Sequence, residues 1–144
     1  MTPLYILDTD HITLLQRNQP AIIGRIMTIP PEQIAVTIVS AMEQVRGRLA
    51  QINRAKTASQ VVAAFARFQE ALDFYRTVSV LPYDDAAAAQ FNQLRQYHKN
   101  RPGTQDLRIA SIVLSQSATL VMRNQKDFEM ISGLQLQDWS LAAN

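Results

Sequence analysis

Apolar residues fall along the chain in short runs, separated by longer segments in which they recur every third or fourth position. Four runs, at 4–7 (LYIL), 34–39 (IAVTIV), 78–81 (VSVL) and 119–122 (TLVM), are brief and rich in β-branched side chains, which favours strands over helices. A fifth short strand is predicted at 134–136, inside GLQLQDW. The segments 11–18, 21–28, 40–54, 58–76, 84–99 and 104–116 read as helices. Strands alternating with helices need crossover connections. The predicted fold is therefore α/β: a mainly parallel sheet of four to five strands flanked by helices on both faces, a three-layer sandwich.

Turn residues mark the boundaries. Pro30-Pro31 breaks the second helix before the second strand, Arg101-Pro102-Gly103 stops the fifth helix, and Gly133 precedes the last strand. Asp84 is placed to cap the helix that follows it. Within 58–76, Val61, Phe65, Phe68, Leu72 and Tyr75 form one apolar stripe, widened by Val62 and Phe74. Such a stripe belongs to the core; its aromatic, alanine-rich make-up also suits a partner groove or dimer surface.

Composition narrows this picture. A chain of 144 residues, 47% of them hydrophobic, has the size of one domain, expected to span 1–144. Cysteine is absent, which excludes disulfides, thiolate metal sites and cysteine nucleophiles. No apolar stretch approaches the roughly 20 residues of a membrane span, and Asp8 interrupts any signal-peptide core. A soluble, cytoplasmic protein without membrane contact is expected. The net charge of +2 is too small to mark a polyanion-binding surface. However, 11 of the 14 basic residues are arginine, whose planar fork suits phosphate and carboxylate.

The acids hold the chemistry. Asp8 ends the first strand, Glu43 lies four residues past the second in the first turn of its helix, and Asp127 follows the TLVM strand by five. In an open parallel sheet the carboxyl ends of the strands line a crevice where ligands bind. Asp106 joins this edge if its helix starts there and runs back, as a right-handed crossover requires. Four converging carboxylates repel one another unless a cation neutralises them, and hard oxygen ligands select Mg²⁺ or Mn²⁺. The chemistry that follows is phosphoryl transfer by metal-activated water. Only two histidines, His11 and His98, are present as other bases. Each acid also has a plainer reading: Asp106 as a first-turn complement to the helix dipole, Glu43 as half of a capping box with Ser40, Asp127 as a surface turn residue.

LDTDHITLL, SAMEQVRGRL and GTQDLRIASIVLSQSATLVMRNQKDFEMISGLQLQDW together resemble the PIN domain, and within it the VapC toxins of toxin–antitoxin pairs. The resemblance runs nearly end to end and is most distinctive in its last block. It implies a PIN-like fold and a Mg²⁺- or Mn²⁺-dependent endoribonuclease that cuts structured RNA such as tRNA and is restrained by a VapB antitoxin, with a homodimer as the common assembly. Its acidic site corresponds to Asp8, Glu43, Asp106 and Asp127; the fourth acid varies in the family between Asp and Glu. Thr9 and Asn124 match polar positions that orient the acids or the attacking water. Asp10 stands where many members have Asn, and is read as a helix N-cap or an orienting group. Ser40 replaces a commoner Thr before the helix.

RNA itself is hinted at only by basic residues near the acids: Arg46 and Arg48 beyond Glu43, Arg95, Lys99, Arg101 and Arg108 around Asp106, and Arg123 and Lys126 before Asp127. Arg46 is equally placed to pair with Glu43. Two other functions fit parts of the pattern. A haloacid dehalogenase-like phosphatase would use Asp8 as nucleophile and Asp10 as acid, and a non-catalytic PIN module would only bind RNA or a partner.

Overall fold

A computed structural model describes residues 2–141. Five short strands, β1 (Tyr5–Leu7), β2 (Ile34–Thr37), β3 (Ser79–Leu81), β4 (Thr119–Val121) and β5 (Gln135–Gln137), pair in the order β3-β2-β1-β4-β5, every pair parallel. Six α-helices connect them: α1 (Thr9–Gln16), α2 (Pro20–Ile26), α3 (Ile38–Arg54), α4 (Ala58–Thr77), α5 (Asp85–Tyr97) and α6 (Thr104–Ser115). A 3-10 turn at Pro31–Gln33, which the apolar pattern does not announce, leads into β2. The α/β expectation holds, with the sheet fully parallel.

Side-chain alternation along the strands makes two cores. Ile6, Ala35 and Leu120 point to one face, where they meet Leu107, Ala110 and Val113 of α6. Leu7, Val36 and Val121 point to the other, against Ile12 of α1, Ile22 of α2 and Trp139. Almost every side chain of α6 from Leu107 to Val113 is buried, because the helix lies between the sheet and α5. Among the described residues no helix is long and apolar enough to cross a membrane.

Two local expectations are corrected. The second strand does not run to Val39: Thr37 ends it and caps α3, its hydroxyl accepting the Ser40 amide at 3.1 Å. Ser40 is thus an interior helical residue rather than half of a capping box, and Glu43 stands in the second turn. The stripe on α4 also divides. Ala64 and Ala71 form the buried line, flanked by half-buried Val61, Phe68 and Tyr75, whereas Phe65 and Leu72 are exposed at 53% and 40%. Small alanines let α4 approach α3 closely, and the larger side chains are left outside. The cap on α5 is as expected, with Asp84 accepting the Ala87 amide at 3.0 Å.

Candidate functional site

The strand order reverses direction between β1 and β4, so the crevice at their carboxyl ends is the topological switch point, where open α/β sheets bind ligands. Asp8 stands there. Its amide donates to the Val121 carbonyl at 2.9 Å, extending the β1–β4 ladder by one bond. It occupies the N-cap position of α1, yet its side chain makes no capping hydrogen bond, although it is only 8% exposed. Burial pushes its carboxyl up to about 7; the Thr9 amide opposes this, and the charges of Asp10, Asp106 and Glu43 add to it.

Glu43 reaches the same place from α3. The Thr9 hydroxyl donates to Glu43 Oε1 at 3.1 Å, and Ser40 Oγ lies 3.1 Å from Thr9 Oγ1, so three polar side chains from α1 and α3 form one chain of contacts. Burial and then the charge of Asp106 raise the Glu43 carboxyl, against the Thr9 hydrogen bond and the nearby Arg46. Asp106, in the first turn of α6, is raised by burial and by Asp127 and Asp10. Asp127 sits in the turn after β4, half-exposed, with Arg101 Nη1 3.9 Å from its Oδ1. Asn124 is exposed in the same loop.

These directions have one cause: carboxylates at one edge of the sheet, buried and facing each other. Among the described residues, none of Asp8, Glu43 and Asp106 forms a salt bridge with a basic group. Nor do any three acidic or imidazole groups already stand at ion-enclosing spacing. The arrangement gathers negative charge without neutralising it.

No family model matches the chain. Ribonuclease VapC1 of Haemophilus influenzae (strain R2866) is 29% identical over 142 residues, covering 95% of this chain and 98% of that protein. The tRNA(fMet)-specific endonuclease VapC of Shigella flexneri is 27% identical over 139 residues, covering 94% and 98%. Among solved structures, VapBC-1 from nontypeable Haemophilus influenzae superposes with a TM-score of 0.75 at 26% identity over 96% of this chain and 99% of the other. Over nearly its whole length the chain is similar to VapC ribonucleases.

In this chain Asp10 does not cap the first helix; it lies within its first turn, and its carboxylate is already engaged. Trp139 donates its backbone N–H to His11 Nε2 at 3.1 Å, which leaves the ring proton on Nδ1, donated to Asp10 Oδ1 at 2.9 Å. Asp10 Oδ2 accepts the Arg123 amide at 3.3 Å. Burial alone would raise the Asp10 carboxyl, but the His11 and Arg123 hydrogen bonds, with the Arg123 charge, hold it below the usual value. A D-x-D phosphatase needs that carboxyl free as an acid; here it is a strut joining α1 to the loop after β4.

His11 is a residue whose part in the site no sequence motif announces. It is fully buried, with Asp138 Oδ1 3.4 Å from its Nε2. Trp139 is fixed in turn by Tyr5, with ring centroids 5.3 Å apart, and by its indole N–H to Gln137. The available signal was the single Trp of the DW ending, for which a buried indole is the natural account. Replacing His11 with Ala leaves the Trp139 amide without its acceptor and Asp10 without its donor. It should cost about 2–3 kcal/mol in urea unfolding, since each buried group stripped of a partner costs about 1–3 kcal/mol.

The arginines of this chain differ in availability. Arg46 is exposed beside Glu43, and Arg123 is exposed on the loop. Arg108 lies 5.7 Å from the Phe91 ring centre and donates to Gln105. Arg95 spends its donors on the His98, Lys99 and Pro102 carbonyls and the Thr104 hydroxyl, bracing the loop before Asp106. Arg48 turns away from the acids toward Gln16.

Proposed function

We propose that this VapC-type chain is a divalent-metal-dependent endoribonuclease, the toxin of a toxin–antitoxin pair, and that Asp8, Glu43 and Asp106 hold Mg²⁺ or Mn²⁺ with Asp127 assisting. One observation carries the reading: three carboxylates gathered at the switch point without a salt-bridge partner, each raised by burial and by the charge of neighbouring carboxylates. An all-oxygen donor set of this charge fits a hard divalent cation and no softer one. Such an ion would supply charge neutralisation for the phosphate and acidify a water.

The chain's own groups do the rest. Thr9 holds Glu43 Oε1 in place, and Ser40 supports Thr9. The Asp10 strut keeps the loop that carries Asn124 and Asp127 against α1. Asp8 is itself only 8% exposed, so little bulk water reaches it. Arg46 and Arg123, exposed beside the acids, are placed to meet a phosphate backbone.

The relatives' names extend this to structured RNA, with tRNA the substrate to test first, and to a VapB-type antitoxin as partner. Uncovered apolar side chains, Val62 and Phe65 on α4 and Ile38, Met42 and Leu49 on α3, offer surfaces for that antitoxin or for a second copy in a homodimer. Incubating the purified chain with bulk tRNA in MgCl₂ and mapping the new ends should give a few discrete cuts, abolished by EDTA. Intact tRNA under both conditions would overturn the reading.

A further inference from the structure

Three arginines the acidic site does not use line a separate pocket. Arg17 at the end of α1, Arg48 on α3 and Arg67 on α4 face a cavity of about 370 Å³, together with Thr13, Gln16 and the single carboxylate of Glu70. Among the described residues, none of the three guanidiniums lies within salt-bridge distance of a carboxylate. Arg48 is pre-positioned: its Nη2 donates to Gln16 Oε1 at 3.4 Å, and the Gln16 and Gln44 amides bond each other at 3.0 and 2.6 Å. Its Nε is nevertheless buried without a partner. Gathered cations with an unmet buried donor are costly to an empty pocket and are satisfied by an anion with several oxygens.

The pocket is near the acids. The Thr13 hydroxyl donates to the carbonyl of Thr9, the residue that holds Glu43. Arg48 follows Glu43 by five residues, about 7.5 Å along the axis of α3. We propose that this pocket between α1, α3 and α4 is a second phosphate site, holding a backbone phosphate of the RNA strand that flanks the bond cut at the acids. The proposal rests on the ribonuclease reading above. It gives the chain a grip on the substrate that is independent of the metal, through bidentate forks suited to phosphate.

The test is the double variant Arg17→Gln/Arg67→Gln, two exposed positions whose replacement leaves the cores untouched. Binding of a fluorescein-labelled single-stranded oligoribonucleotide is followed by anisotropy in EDTA, which prevents cutting, across a series of NaCl concentrations. The dissociation constant should rise about tenfold at 0.1 M salt, and the slope of log affinity against log salt should become shallower by about 0.7, the value for the one phosphate that the variant no longer neutralises. In cleavage with MgCl₂, KM should rise while kcat stays within about twofold. Tripolyphosphate should raise the Tm of the wild-type chain and not that of the variant. An unchanged affinity and salt slope would overturn the proposal. So would a variant that keeps RNA binding but loses an acidic antitoxin peptide, since the pocket would then serve a protein. A wild-type chain that binds the oligonucleotide with the expected slope but never cuts it supports the pocket and overturns the ribonuclease reading instead.

Discussion

Asp8→Asn should raise the melting temperature of the metal-free protein at pH 8 while reducing RNA cleavage at least about a thousandfold. Both effects follow from burying a carboxylate among other carboxylates. The folded-state pKa of Asp8, about 7, stands above its unfolded value of 3.8. The folded chain therefore binds a proton that the unfolded chain releases, so this contribution to stability is complete below about pH 4 and is lost as pH rises through 7. At pH 8 the ionised carboxylate opposes folding by about 4 kcal/mol, which asparagine removes, a gain on the order of 10 °C. Near pH 4 the two melting curves should converge. On the proposed function, the catalytic loss is the removal of one charge from the set proposed to hold the metal, worth several kcal/mol of transition-state stabilisation. An Asp8→Asn protein less stable than wild type at pH 8 without metal would show that the carboxylate is a structural anchor, contrary to this account.

Mn²⁺ affinity measured by calorimetry should fall about tenfold between pH 8 and pH 6, and binding should release protons to the buffer. A metal ligand must be deprotonated. With Asp8 titrating near 7 its ionised fraction drops from about nine-tenths to about one-tenth over that interval, and Glu43 and Asp106, also raised, act in the same direction. Cleavage at subsaturating metal should follow the same curve, and excess metal should move the curve to lower pH. Affinity that does not vary over this range would mean that Asp8 lies outside the ion's ligand set. Asp106→Asn provides the control: it should weaken binding at every pH without removing the dependence that Asp8 imposes.

The strands were legible because each is a brief apolar run bounded by polar or turn residues, and the parallel order follows from the helices between them. Placing Asp8 and Glu43 needed only that order, since both follow strands. Asp106 needed one step more, the return direction of α6. Helix starts were less legible. IAVTIV reads as six strand residues, and only the Thr37 hydroxyl reaching the Ser40 amide shows that the last two already belong to α3. On α4 the pattern favoured the bulky residues, but packing against α3 selected Ala64 and Ala71. Close helix packing rewards small side chains, which a reading based on hydrophobicity ranks last. His11 was illegible because its partners are backbone and side-chain groups from residues far along the chain, and no local spacing announces a buried imidazole.

The bonds that bind the opening LDTDH to the rest of the molecule span nearly the whole chain: 113 residues from Asp10 to Arg123 and 128 from His11 to Trp139. In kinetic terms these are long loops, about as costly to close as the β1–β4 pairing, which joins Tyr5 to Thr119. Pairing β1 with β4 brings the Arg123 amide to Asp10, but the His11 that supports Asp10 waits for the Trp139 amide, which follows β5. The brace behind the acidic edge is therefore completed when Trp139 docks, and fraying of the segment after β5 would loosen the support of Asp10 together with the core that Trp139 joins.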